Sequence, residues 1–84
     1  MSFMKGMVNF KVNSITTDEL LKYAGQVNMK LTRPQAEKIA TYLRGKNFDV
    51  FDANTRSKII REVAKICGPE TARELNKLFI QFTS

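Results

Sequence analysis

Apolar residues recur at helical spacing along most of this chain, and capping sequences separate the segments. Thr16-Thr17-Asp18-Glu19 and Thr32-Arg33-Pro34-Gln35 both match the capping box, in which a threonine side chain and a residue three positions later satisfy each other's backbone amides. The first box predicts a helix over about 17–27. The second predicts a helix over about 33–44, because the apolar residues that follow have helical spacing: Ala36, Ile39, Ala40 and Leu43. Gly45 is a typical residue to follow the end of a helix.

The second half of the chain contains a broader apolar pattern. Asp52 is a candidate cap for a helix over about 53–67, whose apolar positions span an arc of roughly 160°. Gly68-Pro69 then ends this helix and begins the last one, over about 69–82, because proline is tolerated in a first helical turn. Residues 46–52 are predicted to form the longest loop, with its apolar side chains turned inward.

The N-terminal segment fits two patterns. Phe3, Met4 and Met7 suit a helix, whereas residues 8–13 alternate like a strand. A helix is preferred, because no other segment offers a partner strand. The sequence therefore predicts a single all-α domain of about four helices around one core, with helical segments at roughly 3–13, 17–27, 33–44, 53–67 and 69–82.

Composition removes several classes of chemistry. The 84 residues include 14 Lys and Arg against 8 Asp and Glu, for a net charge of +6, with no His and one Cys. Without His, neither a Ser-His-Asp nor a Cys-His nucleophile is available, and one thiolate cannot hold a structural zinc ion. We therefore expect no enzymatic activity, no cofactor or metal, and no small-molecule substrate.

The apolar runs in the sequence are too short to favour a membrane partner. The longest apolar run, Leu78-Phe79-Ile80, is far short of the roughly 20 residues that a transmembrane helix needs. The N-terminal segment also lacks the continuous apolar region of a signal peptide. A single cysteine excludes an internal disulfide and suits a reducing compartment. These features predict a basic cytoplasmic protein.

Several strings resemble a known protein family. They are residues 18–24 (DELLKYA), 35–37 (QAE), 43–47 (LRGKN), 51–52 (FD), 69–72 (PETA) and 76–79 (NKLF). They are similar to a family of uncharacterised small proteins from spore-forming Gram-positive bacteria, classed as a domain of unknown function. The resemblance spans nearly the whole chain and implies a bacterial, cytosolic, helical protein. It supplies no catalytic or binding residues.

Apolar residues that fall off the predicted core favour a protein partner. We expect a non-catalytic interaction or adaptor module that binds another protein or a second copy of itself. The candidate interface consists of Phe3, Met4, Met7, Phe10 and Ile80. The competing explanation is that the N-terminal segment simply covers the core of a small bundle.

A basic stripe supports an alternative, weak nucleic-acid binding. Its candidate residues lie on the back of the fourth helical segment and just after the third: Lys58, Arg61, Lys65, Arg44 and Lys46. The competing explanation is a solvated helix face, with Arg44 and Lys46 complementing a helix C-terminus. A helix-turn-helix over 17–44 is a further alternative, whose groove-facing residues would be Arg33, Gln35 and Lys38.

Overall fold

The computed structural model describes residues 3–83, with side chains described for residues 5–81. It contains five helices: α1 (Phe3–Asn13), α2 (Thr17–Gln26), α3 (Arg33–Leu43), α4 (Ala53–Cys67) and α5 (Pro69–Thr83). No strand occurs in this part of the chain, so the all-α prediction is confirmed. The structure has five helices where about four were counted, and each of the five helical segments predicted from the sequence, including the N-terminal one, is found as a helix. No helix within residues 3–83 is both long and hydrophobic enough to cross a bilayer.

The helices begin where the cap sequences predicted. The Glu19 amide donates to Thr16 Oγ1 at 3.1 Å, and the Thr16 amide donates to Glu19 Oε1 at 3.1 Å. Thr32 and Gln35 form the same reciprocal pair. Asp52 accepts from a backbone amide in the first turn of α4 at 2.9 Å. These side chains satisfy amide donors that a helix N-terminus leaves unpaired.

The end of α2 depends on an asparagine rather than a glycine. Asn28 has φ 58°, in the left-handed region that asparagine tolerates better than most residues. The Met29 amide donates to the Ala24 carbonyl at 2.8 Å, and the Asn28 amide donates to the Gly25 carbonyl at 3.3 Å. This pair of bonds is a Schellman motif, and it turns Met29 into the core. Helices α2 and α3 each end one residue earlier than predicted, because that residue is the C-cap.

One hydrophobic core joins the helices. Extensive packing occurs between α2 and α3, between α3 and α4, and between α4 and α5. The largest fully buried side chains are Ile39, Val50, Ile59 and Val63. Val50 comes from the loop between α3 and α4, which confirms that the apolar residues of this loop turn inward. Burying a side chain of this size stabilises the fold by roughly 1.5–3 kcal/mol.

Candidate interaction surface

Helix α1 is attached to the rest of the molecule differently from the other four. Val8 and Val12 are half-buried against the core, and Ile15 just after the helix is buried. None of the extensive helix–helix pairs includes α1. Its position therefore depends strongly on polar contacts with the loop between α3 and α4.

Asn13 is the first of these polar contacts. Its Nδ2 donates to the Phe48 carbonyl at 2.9 Å, and its Oδ1 accepts from the Phe48 amide at 2.8 Å. The same Nδ2 donates to the Asn9 carbonyl at 2.8 Å. The backbone carbonyl of Asn13 also accepts from the Gly45 amide at 3.1 Å. One side-chain amide thus satisfies both backbone groups of a half-buried loop residue.

Asn9, one turn earlier, makes the second contact. Its Oδ1 accepts from the Val50 amide at 2.8 Å, and its Nδ2 donates to Asp49 Oδ1 at 3.0 Å. The Phe51 amide donates to the same carboxylate oxygen at 3.0 Å, and Lys5 lies 3.2 Å from Oδ2. The donated hydrogen bond from Asn9, then that from Phe51, hold the pKa of Asp49 below its usual range. We call Asn9 and Asn13 together the asparagine clamp.

The side of α1 opposite to Val8 and Val12 is exposed and largely apolar. At about 100° per residue, Gly6, Met7, Phe10 and Ser14 fall within one arc, which we call the outward face of α1. Met7 is 66% exposed and Phe10 is 72% exposed. The Ser14 hydroxyl donates to the Phe10 carbonyl at 2.7 Å, so the polar residue of the face is bonded to its own helix. The side chains of Phe3 and Met4, also predicted for the interface, lie outside the described residues.

Ion pairs compensate the two described lysines of α1. Lys11 donates to Glu19 at 2.6 Å, and Lys5 pairs with Asp49. The Lys11 hydrogen bond lowers the pKa of Glu19, and the same bond raises the pKa of Lys11. Both changes favour the charged forms. The outward face is therefore an apolar surface with locally balanced charge, in a chain whose net charge is +6.

Ile80 lies on a different helix from Met7 and Phe10. It lies on α5, is 51% exposed, and completes the set of exposed large hydrophobic residues among the described side chains. The extensive contacts of α5 are with α4. The structure thus brings together Met7 and Phe10 and places Ile80 on another element.

The basic stripe on α4 is partly neutralised. Lys58, Arg61 and Lys65 are all exposed. Lys65 pairs with Glu62 at 3.4 Å, one turn earlier. Within the described residues, Lys58 and Arg61 have no acidic partner within salt-bridge distance. The cationic surface offered to a polyanion is therefore smaller than the sequence indicated.

Arg44 and Lys46 are engaged near the end of α3. The Lys46 ammonium donates to the Tyr42 carbonyl at 2.7 Å and lies 4.7 Å from the centre of the Tyr42 ring. Arg44 donates to Thr41 Oγ1 at 3.4 Å. A cation near the C-terminal carbonyls complements the helix dipole, so both residues have structural contacts.

The residues of the helix-turn-helix alternative also have structural contacts. Arg33 donates to Asp18 at 2.8 Å, which joins the starts of α2 and α3. Gln35 takes part in the capping box of α3. Of the three proposed groove-facing residues, Lys38 alone is left without such a contact, and it lies near Cys67. Burial raises the pKa of the Cys67 thiol, and Lys38 opposes that change.

Sequence reasoning did not identify the asparagine clamp. Its bonds join residues that are 35 to 41 positions apart. One weak signal was available: Asn9 and Asn13 are spaced by one helical turn beside an apolar stripe, where polar residues need partners.

Comparison with known proteins identifies relatives of the chain without assigning an activity. Residues 1–83 match a family model described as "Protein of unknown function (DUF2624)". The "Uncharacterized protein YqfT" of Bacillus subtilis (strain 168) is 43% identical over 74 residues, which cover 88% of each chain. No solved structure matches. The predicted resemblance to an uncharacterised family is therefore confirmed.

Proposed function

The chain belongs to the DUF2624 family, and we propose that it is a non-catalytic protein–protein interaction or adaptor module that binds through the outward face of α1. The observation that carries this proposal is the exposure of Met7 and Phe10 on one side of a helix whose other side is anchored. Large apolar side chains that protrude together in a small domain are typical of interaction surfaces.

The anchoring of α1 supports the same role. An interaction surface binds more tightly when it is ordered before the partner arrives, because less conformational freedom is lost on binding. Val8 and Val12 hold the side of α1 opposite to Phe10 against the core, and the asparagine clamp holds the adjoining flank against the loop. The face is therefore presented by a helix that is held in place by the core contacts of Val8 and Val12 and by the asparagine clamp.

The proposal includes a bacterial, cytoplasmic setting. Cys67 is a free thiol, which fits a reducing compartment, and the relative described above comes from Bacillus subtilis. A non-catalytic role is supported by the composition, which offers no His for a histidine-activated nucleophile.

The experiment replaces the two protruding side chains. Met7→Gln with Phe10→Gln keeps good helix formers at exposed positions and removes the apolar surface. Ile80→Gln is the matched control, because it removes an exposed apolar side chain from α5. All three proteins are compared by light scattering across concentration and by quantitative capture of bound proteins from bacterial extract.

We expect the α1 double variant to lose an association that the wild-type chain and Ile80→Gln both retain. Circular dichroism checks that the variants keep their helix content. If the double variant retains every association of the wild-type chain at equal strength, the outward face of α1 is not the binding surface.

Nucleic-acid binding by α4 is the second candidate function. It is favoured by the exposure of Lys58 and Arg61 without an acidic partner in the described part of the chain. Two phosphate contacts predict that duplex affinity falls with salt at a log–log slope of about 2. A mobility shift in low salt that Lys58→Gln with Arg61→Gln abolishes would support this candidate. The absence of any shift in low salt would contradict it.

A further inference from the structure

The described side chains of α1 include none that is buried. Val8 and Val12 are half-buried against the core, and the other side chains of residues 5–13 are half-buried or exposed. Each of α2, α3, α4 and α5, in contrast, buries at least two side chains. Since apolar burial is the main force that holds a helix to a core, it holds α1 less strongly than it holds the other helices.

The sequence of α1 does not favour a helix by itself. Residues 6–13 include one glycine, two valines, two asparagines and one phenylalanine, all of which have lower helix propensity than alanine or leucine. The helix has 11 residues, and isolated helices shorter than roughly 12–15 residues are marginal in water even when they are rich in alanine. The helical form of α1 therefore depends on its contacts with the rest of the chain.

The polar contacts of α1 depend in turn on its helical form. Lys5, Asn9 and Asn13 follow one another at intervals of one turn, and all three side chains reach the loop between α3 and α4. A helix places residues with this spacing on one flank, whereas an unwound chain separates them. An unwound α1 therefore cannot keep the three contacts at once, so helix formation and docking are coupled.

Helices α2–α5 pack extensively on one another without using α1. The contacts run from α2 to α3, from α3 to α4 and from α4 to α5. Three of the largest fully buried side chains, Ile39, Ile59 and Val63, come from α3 and α4. Directly after α1, Ile15 is buried and Thr16 caps α2, so the chain is held again within three residues. Loss of the α1 contacts therefore leaves the contacts among α2–α5 in place.

We propose that α1 is a strap, which undocks and unwinds as one unit while α2–α5 stay folded. The docked form is the major one, and the undocked form is a minor state in equilibrium with it. Undocking uncovers the core surface under Val8 and Val12 and removes the helical arrangement of Met7 and Phe10. One consequence rests on the proposed function: a partner of the outward face binds only the docked form, so its apparent Kd rises as the docked fraction falls.

Native-state hydrogen exchange of the full chain in low concentrations of urea tests the strap. We expect the amides of Lys11, Val12 and Asn13 to share one protection factor, at least about tenfold lower than that of Ile59 and Val63 in α4. Their exchange is also expected to depend less on urea, because undocking exposes less surface than complete unfolding. Equal protection in α1 and α4 overturns the inference, as does protection in α1 that differs from residue to residue without dependence on urea.

Two matched glycine substitutions identify the unit that opens. Gly6 and Gly25 are both exposed in helices, and an added Cβ meets nothing within 4 Å at either position. Gly6→Ala favours helical α1 and is expected to raise the protection of the α1 amides about two- to fivefold. Gly25→Ala favours helical α2, which stays folded when α1 undocks. It is therefore expected to raise the protection of the α4 amides by a similar factor and to leave that of the α1 amides unchanged.

An equal rise of α1 and α4 protection in Gly25→Ala would show that α1 opens only with the whole chain, which overturns the inference. Unchanged α1 protection in Gly6→Ala also overturns it, because helix formation would then not be coupled to docking. These measurements need no partner, so the strap and the proposed function fail separately. If the Met7→Gln, Phe10→Gln variant loses no association, the proposed function fails, whereas the exchange of the wild-type chain still decides the strap.

Discussion

The asparagine clamp leads to the most specific prediction about stability. Asn13→Ala removes three side-chain hydrogen bonds, two to the backbone of Phe48 and one to the carbonyl of Asn9. A net contribution of about 1 kcal/mol for each bond gives a loss of about 3 kcal/mol. Alanine regains about 0.5 kcal/mol through its higher helix propensity, so the expected net loss is roughly 2 to 3 kcal/mol.

This loss is large for such a small domain. A chain of this length has a free energy of unfolding of about 4–13 kcal/mol, and 1 kcal/mol shifts the midpoint of a small domain by about 4–8 °C. Urea and thermal unfolding followed by circular dichroism measure the change. The control is Asn54→Ala, because Asn54 is exposed in α4 and its side chain has no partner among the described residues.

Hydrogen exchange tests, independently of the total stability, whether Asn13→Ala acts through the lost bonds to Phe48. The Phe48 amide loses its acceptor in Asn13→Ala and is expected to exchange quickly, whereas the Val50 amide keeps its bond to Asn9. A loss of stability no greater than that of Asn54→Ala would refute this account of the clamp. Equal loss of protection at Phe48 and Val50 would show that the two asparagines act as one unit.

Two further predictions concern acid stability and one backbone turn. The pKa of Asp49 is lowered in the folded chain, so its contribution is complete above its unfolded pKa of about 3.9 and is lost as the pH falls through the folded value. Asp49→Asn should therefore lose less stability than the wild-type chain between pH 4 and pH 2, as measured by the urea concentration at the unfolding midpoint. An equal fall of the midpoint in both proteins over this pH range would contradict this. Gly68 has φ 95° and ψ 163°, a conformation that strains any residue with a Cβ. Gly68→Ala is expected to destabilise the fold by about 1–3 kcal/mol in the same assay, and a neutral result would contradict the assigned backbone strain.

The sequence predicted the helices well because their signals are local. Each capping box joins residues three positions apart, and the apolar stripes repeat within two turns. The residues that form these patterns stand next to each other in the chain, so no tertiary information is needed. The end of α2 was harder to predict from the sequence, because Asn28 occupies the left-handed position after the helix that is usually a glycine.

The candidate surface was only partly predictable for the same physical reason. The sequence analysis named Met7, Phe10 and Ile80 as apolar residues off the core, and the structure finds all three exposed. The sequence did not show that Lys5 is compensated by Asp49, because these residues are 44 positions apart and meet only in the folded chain.

Local spacing and composition by themselves determined that this chain is helical, where its helices begin, and that histidine-based chemistry is absent. Only the tertiary structure decided how α1 is held and which of its sides remains open. The asparagine clamp draws α1 onto the loop between α3 and α4, and this fixes the rotation of the helix about its axis. Phe10 is exposed because Val8 and Val12, on the other side of α1, pack against the core while Asn9 and Asn13 bind the loop, and these contacts join residues far apart in the sequence.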